Sequence, residues 1–138
     1  MKTILVTFFI LVASCVFANP VDVKTASLVA ENYYNSNANV KVNALSLTYQ
    51  EITSTGDTAI FYVFNIHQCD GWIIVSATDA SYPVLGYSPS GNYTKQDQPP
   101  AFIYWMEGYK NQILDIIRRR IPPTAEIIAE WLLIVLMK

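Results

Sequence analysis

The run from Gly71 to Gly91, GWIIVSATDASYPVLGYSPSG, decides the fold. Trp72-Ile73-Ile74-Val75 is aromatic and β-branched, with Gly71 before it and Ser76-Ala77 after, so it reads as a buried strand. Thr78-Asp79-Ala80-Ser81 is turn chemistry, because Asp and Ser side chains bond nearby backbone groups. Pro83 fixes φ where a second strand begins, at Val84-Leu85-Gly86-Tyr87, and Ser88-Pro89-Ser90-Gly91 closes it with another turn. The stretch is a β-hairpin on which the remaining chain has to pack.

Upstream, Ala59–Ile66 (AIFYVFNI) is apolar at nearly every position, which predicts a central strand covered on both faces. Ser54-Thr55-Gly56-Asp57 is a turn before it, and His67-Gln68-Cys69-Asp70 turns the chain into the Trp72 strand. Val40 to Ile52 alternates, with Val40, Val42 and Ala44 and then Leu45, Leu47 and Tyr49 on one face. That pattern predicts a first strand with a break or bulge near Ala44. Short links between four successive strands predict an antiparallel meander. Asp22 is a candidate N-cap for a helix from Val23 to about Asn35, with an apolar stripe at Val23, Ala26, Ala30, Tyr33 and Tyr34.

Downstream, Asn92–Pro100 (NYTKQDQPP) is a polar loop ending in two prolines, which suit the first turn of a helix. That helix is expected to run to about Arg120. Its buried stripe would be Phe102, Trp105 or Met106, Tyr109, Ile113 and Ile116 or Ile117. Arg118-Arg119-Arg120 complements the C-terminal end of its dipole, Pro122-Pro123 stops it, and Thr124 caps a last helix with Glu126 in its first turn. Trp131–Met137 is seven apolar residues in a row, far short of the ~20 a membrane-spanning helix needs. It is either a core helix or a docking face. The predicted fold is α+β: an antiparallel four-stranded sheet, with the N-terminal helix and the long C-terminal helix packed on one face of it.

Three pieces, GWIIVSATD, YPVLGYSPSGNY and WMEGYKNQI, in this order and spacing, resemble the prodomain of streptopain-type cysteine peptidases and the stand-alone Spi protease inhibitors. With weaker flanking matches, the resemblance covers roughly Val23 to Ile127. It implies an inhibitor of a streptopain-like cysteine peptidase, acting in trans by non-covalent occlusion of the cleft. The implied insert is the loop of Tyr93, Thr94, Lys95, Gln96, Asp97, Gln98, Pro99 and Pro100. A Pro-bearing loop held between a strand and a helix is preorganised, so inserting it costs little further ordering entropy. The family presents an asparagine near the start of its long helix, where this chain has Pro99 and Pro100, so no single plug residue is named. The papain-like catalytic domain that would follow, with its cysteine and histidine, is absent from this sequence. A prodomain remnant of a truncated peptidase gene is therefore one alternative reading.

Met1-Lys2 and the apolar Thr3–Ala13 read as a signal peptide, with Val16-Phe17-Ala18 as the cleavage site. The expected organisation is a leader over 1–18, an inhibitor domain over 19–127 and an apolar helical tail over 128–138. Cleavage after Ala18 implies a secreted or periplasmic chain starting at Asn19. The alternative is a lipobox, Val12-Ala13-Ser14-Cys15, which would leave a lipid anchor on Cys15 and make the domain a surface-lipoprotein binding module. Loss of Lys2 takes the basic count from 9 to 8 against 11 acidic residues, a net charge of −3, so nothing favours nucleic acid. Cys69 is then the sole thiol, and no intramolecular disulfide can form.

Catalysis by His67 and Cys69 would need a cleft and an oxyanion hole, which a hairpin tip does not supply. Exposed turn residues are the default reading there. His67, Cys69 and Asp70 have no second ligand cluster, so no metal site is expected, and no cofactor motif is present. Asn92-Tyr93-Thr94 is a glycosylation sequon that matters only in a eukaryotic secretory pathway. An enzyme is not indicated.

Overall fold

The computed structural model describes residues 17–38, 41–42, 44–67 and 71–137. Its elements, in chain order, are α1 (Val23–Asn37), β1 (Leu45–Ile52), β2 (Ala59–Ile66), β3 (Gly71–Ser76), β4 (Val84–Ser88), α2 (Pro100–Arg119) and α3 (Ala125–Val135). The strands form one antiparallel sheet in the order β1-β2-β3-β4, the expected meander. Two adjacent strands without a polar alternation set the architecture. In β2 and β3, Ile60, Val63, Ile66, Ile73, Ile74 and Val75 are fully buried, each worth roughly 1.5–3 kcal/mol over exposure.

Such strands need cover on both faces, and this corrects the expectation that both helices share one. Tyr62, Phe64, Ile66, Ile73 and Val75 pack with Ala26, Val29, Ala30 and Tyr34 of α1 and with Trp131 and Ile134 of α3. Phe61, Val63 and Ile74 point the other way and pack with Met106 and Ile113 of α2. The sheet is the middle layer of three. α1 also differs from its expected stripe: Val29 is buried, whereas Val23 lies 41% exposed at the first turn.

Bulges decide which face the edge strands offer. β1 begins at Leu45, next to the irregularity expected near Ala44, and a bulge lies further along at Thr48, the extra residue between the pairs Leu47↔Phe64 and Tyr49↔Val63. Leu45 therefore packs toward α1, while Tyr49 packs toward α2. The single face proposed for Leu45, Leu47 and Tyr49 is split by this one residue. Ile60 is likewise extra between Glu51↔Phe61 and Ile52↔Ala59, and Leu85 is extra between Ile74↔Gly86 and Val75↔Val84. Val42, expected within the strand, precedes it; it is buried, and its N–H donates to Asn35 Oδ1.

Capping follows the sequence closely. Asp22 Oδ1 accepts the Thr25 N–H at 2.7 Å, and Thr124 Oγ1 accepts the Ile127 N–H at 3.3 Å. Pro100 sits at the start of α2, and Arg120, in the left-handed region at φ 51°, ends it. The apolar tail resolves as a core helix on one side. Trp131 Nε1 donates to Ser81 O at 2.8 Å, and Asn32 Nδ2 of α1 donates to Ile134 O at 2.9 Å. Among the described residues no helix is long and apolar enough to cross a membrane.

Candidate functional site

The loop between β4 and α2 stands on an aromatic footing. Tyr93 is buried, its ring stacked on Tyr49 at 6.0 Å and met edge-on by Trp72 at 5.9 Å and Phe102 at 6.2 Å. Its N–H donates to Asn65 Oδ1 at 3.0 Å. Asn65 is the one polar residue in the apolar run of β2, a signal from which its bracing role could have been read. Beyond Tyr93, Thr94 to Asp97 and Pro99 to Pro100 are exposed and Gln98 is half-buried. Of the eight proposed contact residues, Tyr93 is the buried anchor, Gln98 is half-buried and the other six are exposed.

The exposed part is held internally. Thr94 Oγ1 donates to Gln96 O at 3.0 Å, and Gln98 Nε2 donates back to Thr94 O at 2.6 Å. Asp97 takes φ 56°, a left-handed conformation that Asp tolerates better than most residues and that reverses the chain between these bonds. A cleft of about 270 Å³ opens between the loop and Trp72, Tyr93 and Phe102.

Lys95 ties the loop to the sheet. Its Nζ donates to Tyr49 Oη at 2.9 Å, lies 4.3 Å from the centre of the Tyr49 ring and is 3.5 Å from Glu51 Oε2. Glu51 is 9% exposed and is the hub that sequence reasoning missed. It accepts the Tyr49 hydroxyl hydrogen and, at 2.7 Å, a bond from Lys110 Nζ of α2. Burial pushes the Glu51 carboxyl up, but the bonds from Lys110 and Tyr49 outweigh it and hold the group below its ordinary value. The Lys110 ammonium is pushed up by its bond to Glu51. One buried carboxylate thus couples β1, α2 and the loop. A lone acid in an edge strand, two residues after Tyr49, was the available signal.

The other candidates do not assemble. His67 is exposed at the end of β2, and Gln68, Cys69 and Asp70 lie outside the described residues. Among the described residues no group of His, Cys, Asp and Glu could hold a metal ion. Cys15 and most of the proposed leader also lie outside them. Arg118 and Arg119 occupy the last turn of α2, where Arg119 pairs with Asp115 at 3.0 Å.

A loop braced at its base and exposed beyond it suits binding. Comparison with known families agrees: the model of the family described as Spi protease inhibitor matches residues 18–113. The chain belongs to the Spi protease inhibitor family. This is a family of protease inhibitors, not of enzymes, and the match spans α1, the sheet, the braced loop and most of α2. The thiol protease/hemagglutinin PrtT of Porphyromonas gingivalis is 25% identical over 109 residues, covering 77% of this chain. The chain spans about 13% of that relative's length. No solved structure matches the chain.

Proposed function

We propose that this Spi-family chain is a secreted inhibitor of a streptopain-like, papain-fold cysteine peptidase, occluding its active-site cleft without covalent chemistry. The observation that carries the reading is the Tyr93–Pro100 loop. Its base is buried among three aromatic rings, its tip is exposed, and its internal bonds preorganise it. A loop ordered before binding loses less conformational entropy in a cleft than a flexible one. Pro99 and Pro100 lack N–H groups and so cannot complete a substrate-like hydrogen-bond ladder with the enzyme.

The test is inhibition of a purified streptopain-like peptidase by the full chain, with papain as control. Reversible inhibition of the first, abolished when Gln96–Pro100 is replaced by a Gly/Ser loop of equal length, is expected. No inhibition by a folded, monodisperse chain would overturn the proposal. The relative's name, a thiol protease, favours a second reading of the domain as a propeptide. A peptidase encoded next to this gene would favour the inhibitor over that reading.

A further inference from the structure

The segment Asn19–Val21 docks as a short extended strand on the turn after β3. Pro20 forms an antiparallel bridge with Thr78, the Val21 N–H donates to Ala77 O at 2.9 Å, and the Asp79 N–H donates to Asn19 O at 3.1 Å. One residue occupies both oxygens of Asp79. The Asn19 main-chain nitrogen is 2.7 Å from Oδ1, and Asn19 Nδ2 is 3.0 Å from Oδ2. A carboxylate bonds more strongly to an ammonium than to a neutral amide. Asn19 is also the residue that follows the Val16-Phe17-Ala18 cleavage pattern.

We infer that Asp79 is the receptor for a new N-terminus, the α-ammonium of Asn19, made by a signal-peptidase-class endopeptidase at the Ala18–Asn19 bond. Hydrolysis adds water across that peptide bond. The hydroxyl goes to the Ala18 carbonyl carbon and the hydrogen to the Asn19 nitrogen, which takes a further proton from solvent. The nitrogen already sits at hydrogen-bond distance from Asp79 Oδ1, so cleavage turns a neutral donor into a cation with no movement of the segment. The adjoining cleft of about 580 Å³ is lined by Asp22 at the start of α1, Asp57 of the β1–β2 turn and Arg120 at the end of α2. Two carboxylates against one guanidinium leave an environment that favours the ammonium. Phe17 and Ala18 line the same cleft and depart with the leader. Leader removal thus strengthens the clasp between the N-terminal segment and the sheet, and the mature chain is held more firmly than its precursor. This inference is independent of the target peptidase.

The experiment is to express the full chain in an exporting bacterial host, read the product's N-terminus by mass spectrometry, and titrate its α-amino group by NMR. The expected product begins at Asn19. Its amine titrates above the ordinary α-amino range of about 7.7–8.0, and Asp79→Asn returns it to that range. A product starting elsewhere, including a lipidated Cys15, overturns the inference. So does an amine in the wild-type product that titrates at or below the ordinary range, a result that needs no variant. An elevated amine unchanged by Asp79→Asn would refute the assignment of Asp79. A purely structural role for Asp79, as an acceptor of backbone N–H bonds, would not move this titration.

Discussion

Replacing Glu51 with Gln tests whether one buried carboxylate holds the loop, β1 and α2 together. The bond from Lys110 is short, at 2.7 Å, and the Lys110 side chain is 32% exposed. A hydrogen bond to a charged group contributes about 1.5–3 kcal/mol, and the lower end applies at this exposure. Lys95 is 58% exposed and 3.5 Å away, so its ion pair adds at most about 0.5 kcal/mol after solvent screening. Glutamine keeps the shape and one acceptor but loses the charge, and the amide oxygen can serve only part of this set. The expected loss is about 2 kcal/mol at neutral pH, read from urea unfolding midpoints at unchanged slope. The pH dependence supplies an independent check. The folded carboxyl lies below its ordinary value, so its stabilisation is fully present above the unfolded pKa of about 4.3. That stabilisation is lost as pH falls through the lower folded value, and the gap between wild type and Glu51→Gln should close there. Equal stability at pH 7, or a gap that persists undiminished into acid, would refute the hub.

A Cβ at Gly71 would lie 1.9 Å from Tyr34 Oη and 2.7 Å from Ser88 O, and Tyr34 is fully buried. Gly71→Ala should therefore cost about 3 kcal/mol, the upper range for overpacking, and Tyr34→Phe should not restore it because the Ser88 backbone contact remains. Urea unfolding of the single and double variants measures both. Ile134→Ala should cost about 2–4 kcal/mol, because its side chain is buried where α3 meets α1. Amide exchange should show α3 losing protection before the sheet does; equal loss throughout would count against a separable docking of this helix.

Much of the fold was legible because its signals are local. The apolar run Ala59–Ile66 and the run Trp72–Ser76 announce strands by composition alone, and the observed β2 has the expected bounds. Asp22 and Thr124 announce helix starts because a cap needs only a side-chain oxygen three residues before a free N–H. The loop was legible as a loop from its polar residues and its two prolines. Its brace was not, since Glu51, Asn65 and Trp72 come from three strands and meet Tyr93, Lys95 and Lys110 only when the sheet forms.

What the sequence determined by itself was the identity of each element and the meander. Those follow from periodicity and turn chemistry within a few residues of each position. The tertiary structure alone decided that α1 and α2 cover opposite faces and that Thr48, Ile60 and Leu85 are the extra residues of the bulged pairs. It also decided which residues of the loop turn inward. Side-chain alternation in a strand says that two faces exist but not which helix will cover each. A bulge depends on the partner strand opposite it, a relation that no single segment carries.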